Sequence, residues 1–105
     1  MIQAVYITAK DRAEALRIGK ELLEARLVAC INLFEGMRSL YWWEGKIEES
    51  QECVIIAKST SSLQPEIIAT VQRLHSYKVP CVVFFPITGG NQAYLDWIHS
   101  ETTRA

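Results

Sequence analysis

The three thiols of this sequence, Cys30, Cys53 and Cys81, are its most reactive side chains. A thiolate is a soft ligand that selects copper(I), and it also acts as a nucleophile. Cys30 lies two residues before Asn32 in a β-rich segment, so both side chains are expected on one face of a strand. A small buried apolar role for Cys30 is the alternative, because free cysteine is often buried. An odd number of thiols without a C-x-x-C spacing indicates reduced cysteines and a cytoplasmic protein.

The histidines and the acidic residues are the second set of candidate ligands. His75 lies at the predicted end of a helix, where its ring either interacts with the helix C-terminus or binds a metal ion. His99 lies near the C-terminus and is expected to be solvated. Glu48, Glu49 and Glu52 form an acidic cluster that predicts a solvated surface, with weak binding of hard cations as the alternative. The sequence contains no Ser-His-Asp arrangement, nucleophile elbow or phosphate-loop spacing, so no catalytic residue is predicted.

These candidate residues are arranged around a long predicted β-hairpin that runs from Ala29 to Lys58. Two runs rich in β-branched and aromatic residues flank Glu44-Gly45, a two-residue turn of the kind that closes hairpins. The first arm, Ala29 to Trp43, is far longer than the usual strand of about five or six residues. A straight arm of roughly 50 Å exceeds a domain with a radius of gyration of about 13 Å, so we expect a bend at Glu35-Gly36. The tip of the hairpin must then project from the domain or contact another chain.

Strands and helices alternate along the rest of the chain. The first helix carries an Asp11 N-cap and Glu14 three residues later, which is a capping-box pattern. The predicted elements, in order, are a strand over Ile2–Thr8, this helix, the hairpin, a helix striped by Leu63, Ile67, Ile68, Val71 and Leu74, a strand over Val79–Phe85, and a helix striped by Tyr94, Leu95, Trp97 and Ile98. The Val79–Phe85 strand is apolar on both faces, which predicts burial on both.

The order β-α-β-β-α-β plus a C-terminal helix predicts an α+β fold of the ferredoxin-like, split β-α-β type. Such a fold has an antiparallel sheet with both main helices on one face. The final helix and further copies of the chain would cover the other face, because exposed β-arms are usually paired in native proteins. Trp42 and Trp43 point to opposite faces of a strand, so one can pack on its own subunit and the other on a neighbour. We therefore expect an oligomer.

The composition indicates one globular domain spanning residues 1–105, with 50% hydrophobic and 22% charged residues. The net charge of −1 gives no electrostatic attraction to nucleic acid or acidic lipid. The longest apolar run, Val79–Ile87, contains two prolines and is too short to cross a bilayer. Met1–Val5 lacks a basic n-region. We therefore expect no signal peptide, no nucleic-acid or membrane partner, and a cytoplasmic location.

Several segments that follow one another along the chain form a recognisable pattern: Ala29–Asn32, Ser39–Glu49, Thr60–Leu63, His75–Pro80, Pro86–Ile87, Gly90–Asn91 and Tyr94–Trp97. Together they resemble the CutA family of divalent-cation tolerance proteins over nearly the whole chain. The segment Tyr41–Glu48, which reads Tyr-Trp-Trp-Glu-Gly-Lys-Ile-Glu, is the most specific. The resemblance implies a ferredoxin-like subunit in a compact homotrimer similar in shape to the PII signalling proteins. It also implies tolerance to divalent metals and copper binding, without a settled catalytic activity.

The chain departs from the family pattern in the connector after His75. The family usually reads His-Pro-Tyr-Glu-Val-Pro-Glu there, and this chain has Ser76, Lys78 and Cys81 in place of the proline and the two acids. If the two acids bind a cation or transfer protons in the family, this chain has lost both. The trimer prediction is unaffected, because it depends on the hairpin.

The leading hypothesis is a non-enzymatic homotrimer that binds copper or another divalent ion and takes part in the response to metal ions. Cys30 and His75 are its predicted metal ligands, no organic cofactor is expected, and its predicted trimer interface contains Tyr41, Trp42, Trp43 and Ile47. A second hypothesis is a PII-like small-molecule sensor whose ligand lies between subunits near Lys58, His75 and Tyr77. The residues predicted for a ligand cleft are Asn32, Tyr41, Lys58, Tyr77 and Trp97. A third is an enzyme with an inter-subunit cleft around Cys30, Asn32 and His75.

Overall fold

A computed structural model describes residues 1–103, which form four strands and three α-helices. The elements are β1 (Ile2–Ala9), α1 (Arg12–Glu24), β2 (Cys30–Trp43), β3 (Lys46–Thr60), α2 (Gln64–Leu74), β4 (Val82–Pro86) and α3 (Gln92–Glu101), with a 3₁₀ turn (Ser61–Leu63) before α2. The strands form one sheet in the order β2-β3-β1-β4, and every neighbouring pair is antiparallel. The predicted α+β class, element order and antiparallel sheet are therefore confirmed.

The hairpin of β2 and β3 projects from the domain, as its length predicts. Its turn has positive φ at both central residues, Glu44 (50°) and Gly45 (79°), which suits the right-handed twist of paired strands. The register shifts between Phe34 and Met37, where Gly36 has a φ of 75°, so the predicted bend is confirmed. The described chain is elongated, with principal extents of 44 × 26 × 21 Å.

The hydrophobic core lies between one face of the sheet and the helices α1 and α2. Alternate residues of the central strands, such as Val5 and Ile7 in β1 and Ile55 in β3, are fully buried against Ile18 of α1 and Ile67 of α2. The opposite face of the sheet is covered only at one end, by α3, whose Ile98 is fully buried. We call this second face the open face. Much of the sheet is therefore left uncovered in a single chain.

Three local expectations are wrong. The last strand begins at Val82 rather than Val79, and it lies at the edge of the sheet, beyond the cover of α3. Its Val83 and Phe85 are about half exposed, so it is not buried on both faces. In α3, Tyr94 and Trp97 are exposed and stack on each other instead of entering the core.

The N-terminus of α1 differs in detail from the predicted capping box. Asp11 Oδ1 accepts a hydrogen bond from the Glu14 amide at 2.9 Å, as expected of an N-cap. The reciprocal bond, however, comes from the Lys10 amide to Glu14 Oε1 (3.1 Å) and not from the Asp11 amide. Glu14 is buried, and its side chain has further partners in the candidate site. Among residues 1–103, no helix is long and apolar enough to cross a membrane.

Candidate functional site

A cavity of about 730 Å³ lies on the open face between the hairpin and the connector from α2 to β4. Tyr6 of β1 and Met37 of β2 line it, and the phenol of Tyr6 donates to the Met37 sulfur at 3.5 Å. Tyr77 and Cys81 of the connector form the wall opposite the hairpin. Five aromatic residues contribute to the lining: Tyr6, Tyr41, Trp42, Trp43 and Tyr77.

The bulge in β2 decides which hairpin residues share the open face. Phe34 pairs with Val54 and Met37 pairs with Glu52, so Glu35 and Gly36 of β2 lie opposite the single residue Cys53 of β3. Side chains alternate along a strand, and the extra residue reverses the alternation beyond it. Met37, and with it Tyr41 and Trp43, therefore lies on the same face as Phe34.

Glu52 is the buried charged group of this cavity, with only 8% of its surface exposed. The Tyr77 phenol donates to Glu52 Oε2 at 2.7 Å, and no residue within 1–103 donates a hydrogen bond to Oε1. Burial, followed by the bond to Glu52, raises the pKa of Tyr77 well above its ordinary value, so the phenol remains a donor. The predicted solvated surface is correct for Glu48 and Glu49 but wrong for Glu52, because the connector folds over it.

His75 fixes the position of Tyr77. Its buried ring accepts a hydrogen bond at Nδ1 from the Tyr77 amide (3.0 Å), and Nε2 lies 2.7 Å from the Thr8 carbonyl oxygen. An Nδ1 that accepts must be unprotonated, so the ring is neutral and Nε2–H is the donor to Thr8. Both ring nitrogens are thus occupied within the chain. Interaction with the end of α2 is only part of the role of His75.

Glu14 ties α1 to the same connector. Its Oε2 accepts from the Ser76 amide at 3.0 Å, and its Oε1 lies 3.8 Å from His75 Nδ1. Burial alone would raise the pKa of Glu14, but hydrogen bonds from Ser76 and Lys10 outweigh burial and hold it below its ordinary value. The sequence pattern explained Glu14 as a cap, and nothing local signals a partner 62 residues away.

A second group of predicted site residues meets at the other end of the open face, beside α3. The Lys58 ammonium donates to Asn32 Oδ1 at 2.7 Å, as expected for neighbouring side chains of β3 and β2. The Cys30 sulfur lies 3.5 Å from the Tyr94 phenol oxygen, and Tyr94 stacks on Trp97 with ring centroids 5.6 Å apart. The contact with Cys30, ahead of burial, raises the pKa of Tyr94.

The structure therefore divides the predicted ligand residues into two places. Tyr41 and Tyr77 line the cavity, whereas Asn32, Lys58 and Trp97 lie near Cys30. His75 and Cys30 have no partner in common, and the described residues contain no cluster of three His, Cys, Asp or Glu side chains suited to a metal ion. Cys30, Cys53 and Cys81 are all free thiols, as predicted.

The hairpin tip carries the residues predicted for an interface. Trp42 is 73% exposed and pairs across the strands with Ile47, which is 61% exposed, while Tyr41 and Trp43 on the other face are less exposed. Leu40 extends the Trp42 side of the tip. No part of the chain within residues 1–103 covers this apolar surface.

Comparison with known proteins shows which protein family this chain belongs to. The model of the family described as "CutA1 divalent ion tolerance protein" matches residues 3–101. The divalent-cation tolerance protein CutA of Archaeoglobus fulgidus is 46% identical over 94 residues, which are 90% of this chain and 91% of that protein. The CutA of Thermus thermophilus is 40% identical over 102 residues, which are 97% and 99% of the two chains.

Solved structures agree with the sequence comparison. The Archaeoglobus fulgidus CutA, described as a periplasmic divalent cation tolerance protein, superposes with a TM-score of 0.95 at 43% identity, covering 98% of this chain and all of that chain. The Thermus thermophilus CutA1 gives a TM-score of 0.96 at 40% identity with the same coverage. A fold and a sequence so similar over their full lengths define a small α+β protein of the divalent-ion tolerance class. The chain belongs to the CutA1 family.

Proposed function

We propose that this protein is a cytoplasmic homotrimer of the divalent-cation tolerance type, which binds copper or another divalent ion in the response to metal ions. In this proposal the subunit is ferredoxin-like and the assembly resembles the PII proteins. The protein has no catalytic activity and no organic cofactor, and it binds neither nucleic acid nor membranes.

The observation that carries the trimer is the hairpin tip. Trp42 and Ile47 are exposed by 73% and 61%, and they form one continuous apolar surface with Leu40. Large aromatic residues are enriched at protein interfaces, and a long two-stranded arm is marginal in water without a partner. The part of the open face outside the cavity and beyond α3 offers a second surface for neighbouring subunits.

The metal-binding part is supported by family membership and by Cys30. This thiol is half-buried on the open face, so a copper ion can reach it, whereas Cys53 is 99% buried in the core. Since one chain does not assemble a full ligand set within residues 1–103, further ligands would come from the other subunits. His75 contributes only if its two hydrogen bonds are broken.

Two measurements test the proposal. Sedimentation at micromolar concentration should give three subunits, and a monomer would overturn the hairpin argument. Calorimetric titration of the metal-free, reduced protein with copper and zinc should show binding tighter than about millimolar. Cys30→Ser should weaken copper binding, whereas Cys53→Ser is the matched control and should leave it unchanged. Equal copper affinity in the two variants would contradict the role of Cys30.

A PII-like sensor is the second candidate function, and the 730 Å³ cavity favours it. A third candidate, an enzyme using Cys30 and His75, has less support. Its nucleophile and base would need to lie within hydrogen-bond reach, but Cys30 contacts Tyr94 while both His75 nitrogens are engaged by Tyr77 and Thr8.

A further inference from the structure

We propose that the cavity on the open face binds a small organic ammonium ion, with Glu52 as the charge partner and the surrounding aromatic side chains as the cage. This goes beyond binding of metal ions, and it does not depend on Cys30.

One oxygen of the Glu52 carboxylate has a hydrogen-bond partner in the chain, and the other is available to a ligand. Its Oε2 accepts from the Tyr77 phenol at 2.7 Å, and the Tyr77 backbone is in turn fixed by His75. Its Oε1 receives no hydrogen bond from the described chain. Every fully buried side-chain oxygen of the described chain has a hydrogen-bond partner, so Oε1 is not fully buried and solvent reaches it through the cavity. A buried carboxylate with one free oxygen is a strong acceptor for an N–H donor or a cation.

The walls around this oxygen are mostly aromatic. Tyr6, Tyr41 and Trp43 come from different strands or positions on the open face and line the same cavity, which Met37 completes with its thioether. The negative faces of aromatic rings attract ammonium groups, and cages of this kind recognise methylated and quaternary ammonium ions. The volume of about 730 Å³ is that of a site for a small organic molecule.

The charges at the rim favour a cation over an anion. Glu48 adds a second carboxylate to the lining, while the guanidinium of Arg38 is already paired with Glu49. Lys78 is the remaining cation of the lining; it is exposed and makes no ion pair with Glu52 among the described contacts. With Arg38 paired to Glu49, the charges left in the lining are the carboxylates of Glu48 and Glu52 and the ammonium of Lys78.

The same features disfavour the other ligands. A divalent metal ion needs several oxygen, nitrogen or sulfur ligands in close geometry, and residues 1–103 hold no such cluster. A neutral apolar molecule would remove water from Glu52 without replacing its hydrogen bond, which is unfavourable. An ammonium ion with an apolar body satisfies both the carboxylate and the rings.

The test compares probes of one shape and different charge on the protein in its native assembly. Benzylammonium and benzyltrimethylammonium should bind in calorimetric titration, and benzyl alcohol should bind at least about tenfold more weakly, because it carries no positive charge to pair with Glu52 and the aromatic rings. Glu52→Gln should weaken benzylammonium binding by roughly tenfold to a hundredfold. Glu21→Gln, an exposed carboxylate on α1 away from the cavity, is the matched control and should bind as the unaltered protein does.

Tyr41→Leu gives a second variant in case Glu52→Gln does not fold, since Tyr41 is 43% exposed. It should weaken binding of benzyltrimethylammonium while leaving that of benzyl alcohol unchanged, which loss of structure would not do. Equal affinity for charged and neutral probes, no binding of either ammonium ion, or a crystal structure with a second copy of the chain filling the cavity would each overturn the proposal. Failure of copper binding would leave it standing, because neither probe is a metal.

Discussion

Replacing Glu14 with alanine tests the link between α1 and the connector that positions Tyr77. The side chain accepts two backbone hydrogen bonds, from Lys10 at 3.1 Å and Ser76 at 3.0 Å, and Arg17 lies 3.7 Å away. A hydrogen bond to a charged group contributes about 1.5–3 kcal/mol. Lys10 and Ser76 are exposed residues, so water replaces part of what is lost. We therefore expect Glu14→Ala to lower the free energy of unfolding by about 2–4 kcal/mol.

The charge of Glu14 also predicts a pH dependence with a definite sign. The pKa of Glu14 is lower in the folded chain than its ordinary value of 4.5, so folding favours the ionised carboxylate. Its contribution to stability is then fully present above about pH 4.5 and is lost as the pH falls through the lowered pKa. Glu14→Gln keeps an acceptor but cannot ionise, so its deficit relative to the unaltered protein should shrink over that acid range.

The assay is urea unfolding at fixed protomer concentration, from pH 7 down to the acid range, followed by circular dichroism. Protomer concentration must be held constant because association of subunits adds to apparent stability. Glu21→Ala, an exposed residue of the same helix, is the control and should change the free energy of unfolding by less than about 0.5 kcal/mol. A Glu14→Ala loss no larger than that of the control, or a Glu14→Gln deficit that is constant with pH, would refute the reasoning.

Three further predictions concern the cavity and the hairpin. Tyr77→Phe and Glu52→Gln, combined in a double-mutant cycle of unfolding free energies, should show a coupling of about 1–3 kcal/mol, and independent effects would disprove their hydrogen bond. Trp42→Ser should shift sedimentation toward smaller species with little effect on the fold of the subunit, because 73% of this residue is exposed in the single chain. Unchanged sedimentation would show that Trp42 does not hold an interface together. Gly36→Ala should lower the free energy of unfolding by about 1–2 kcal/mol, because φ at this position is positive, although no atom crowds a new Cβ. Gly89 is equally uncrowded and has no positive φ, so Gly89→Ala should leave the free energy of unfolding nearly unchanged. Equal effects of the two substitutions in urea unfolding would contradict this reasoning.

The parts of the fold that local chemistry decides could be predicted from the sequence. The turn at Glu44-Gly45, the Asp11 cap and the bend near Gly36 each depend on residues adjacent in the chain, and the structure has all three. Burial of Glu52 could not be predicted, because the covering Tyr77 is 25 residues away. The edge position of β4 follows from pairing with β1 alone, which no periodicity within Val79–Phe85 reveals.

The arrangement of the predicted cleft residues could not be predicted from the sequence. Tyr41, Tyr77, Asn32, Lys58 and Trp97 all lie on or near the open face, but in two places rather than in one cleft. Side chains alternate along β2, but the face on which each one lies can be predicted only if the number of residues in the bulge is known. Glycine at position 36 indicates a bend, but it does not say that the alternation is reversed beyond it.

The bulge between Phe34 and Met37 constrains how the length of this hairpin can change. Because Val54, Cys53 and Glu52 alternate regularly in β3, deleting Gly36 would let Phe34, Glu35 and Met37 pair with these three residues, and Tyr41 and Trp43 would stay on the cavity side. Deleting one residue between Met37 and Trp43 would instead break the alternation and turn the side chains beyond it to the opposite face. The bulge is therefore a position where this arm can lose one residue without exchanging its two surfaces, although it would lose the bend.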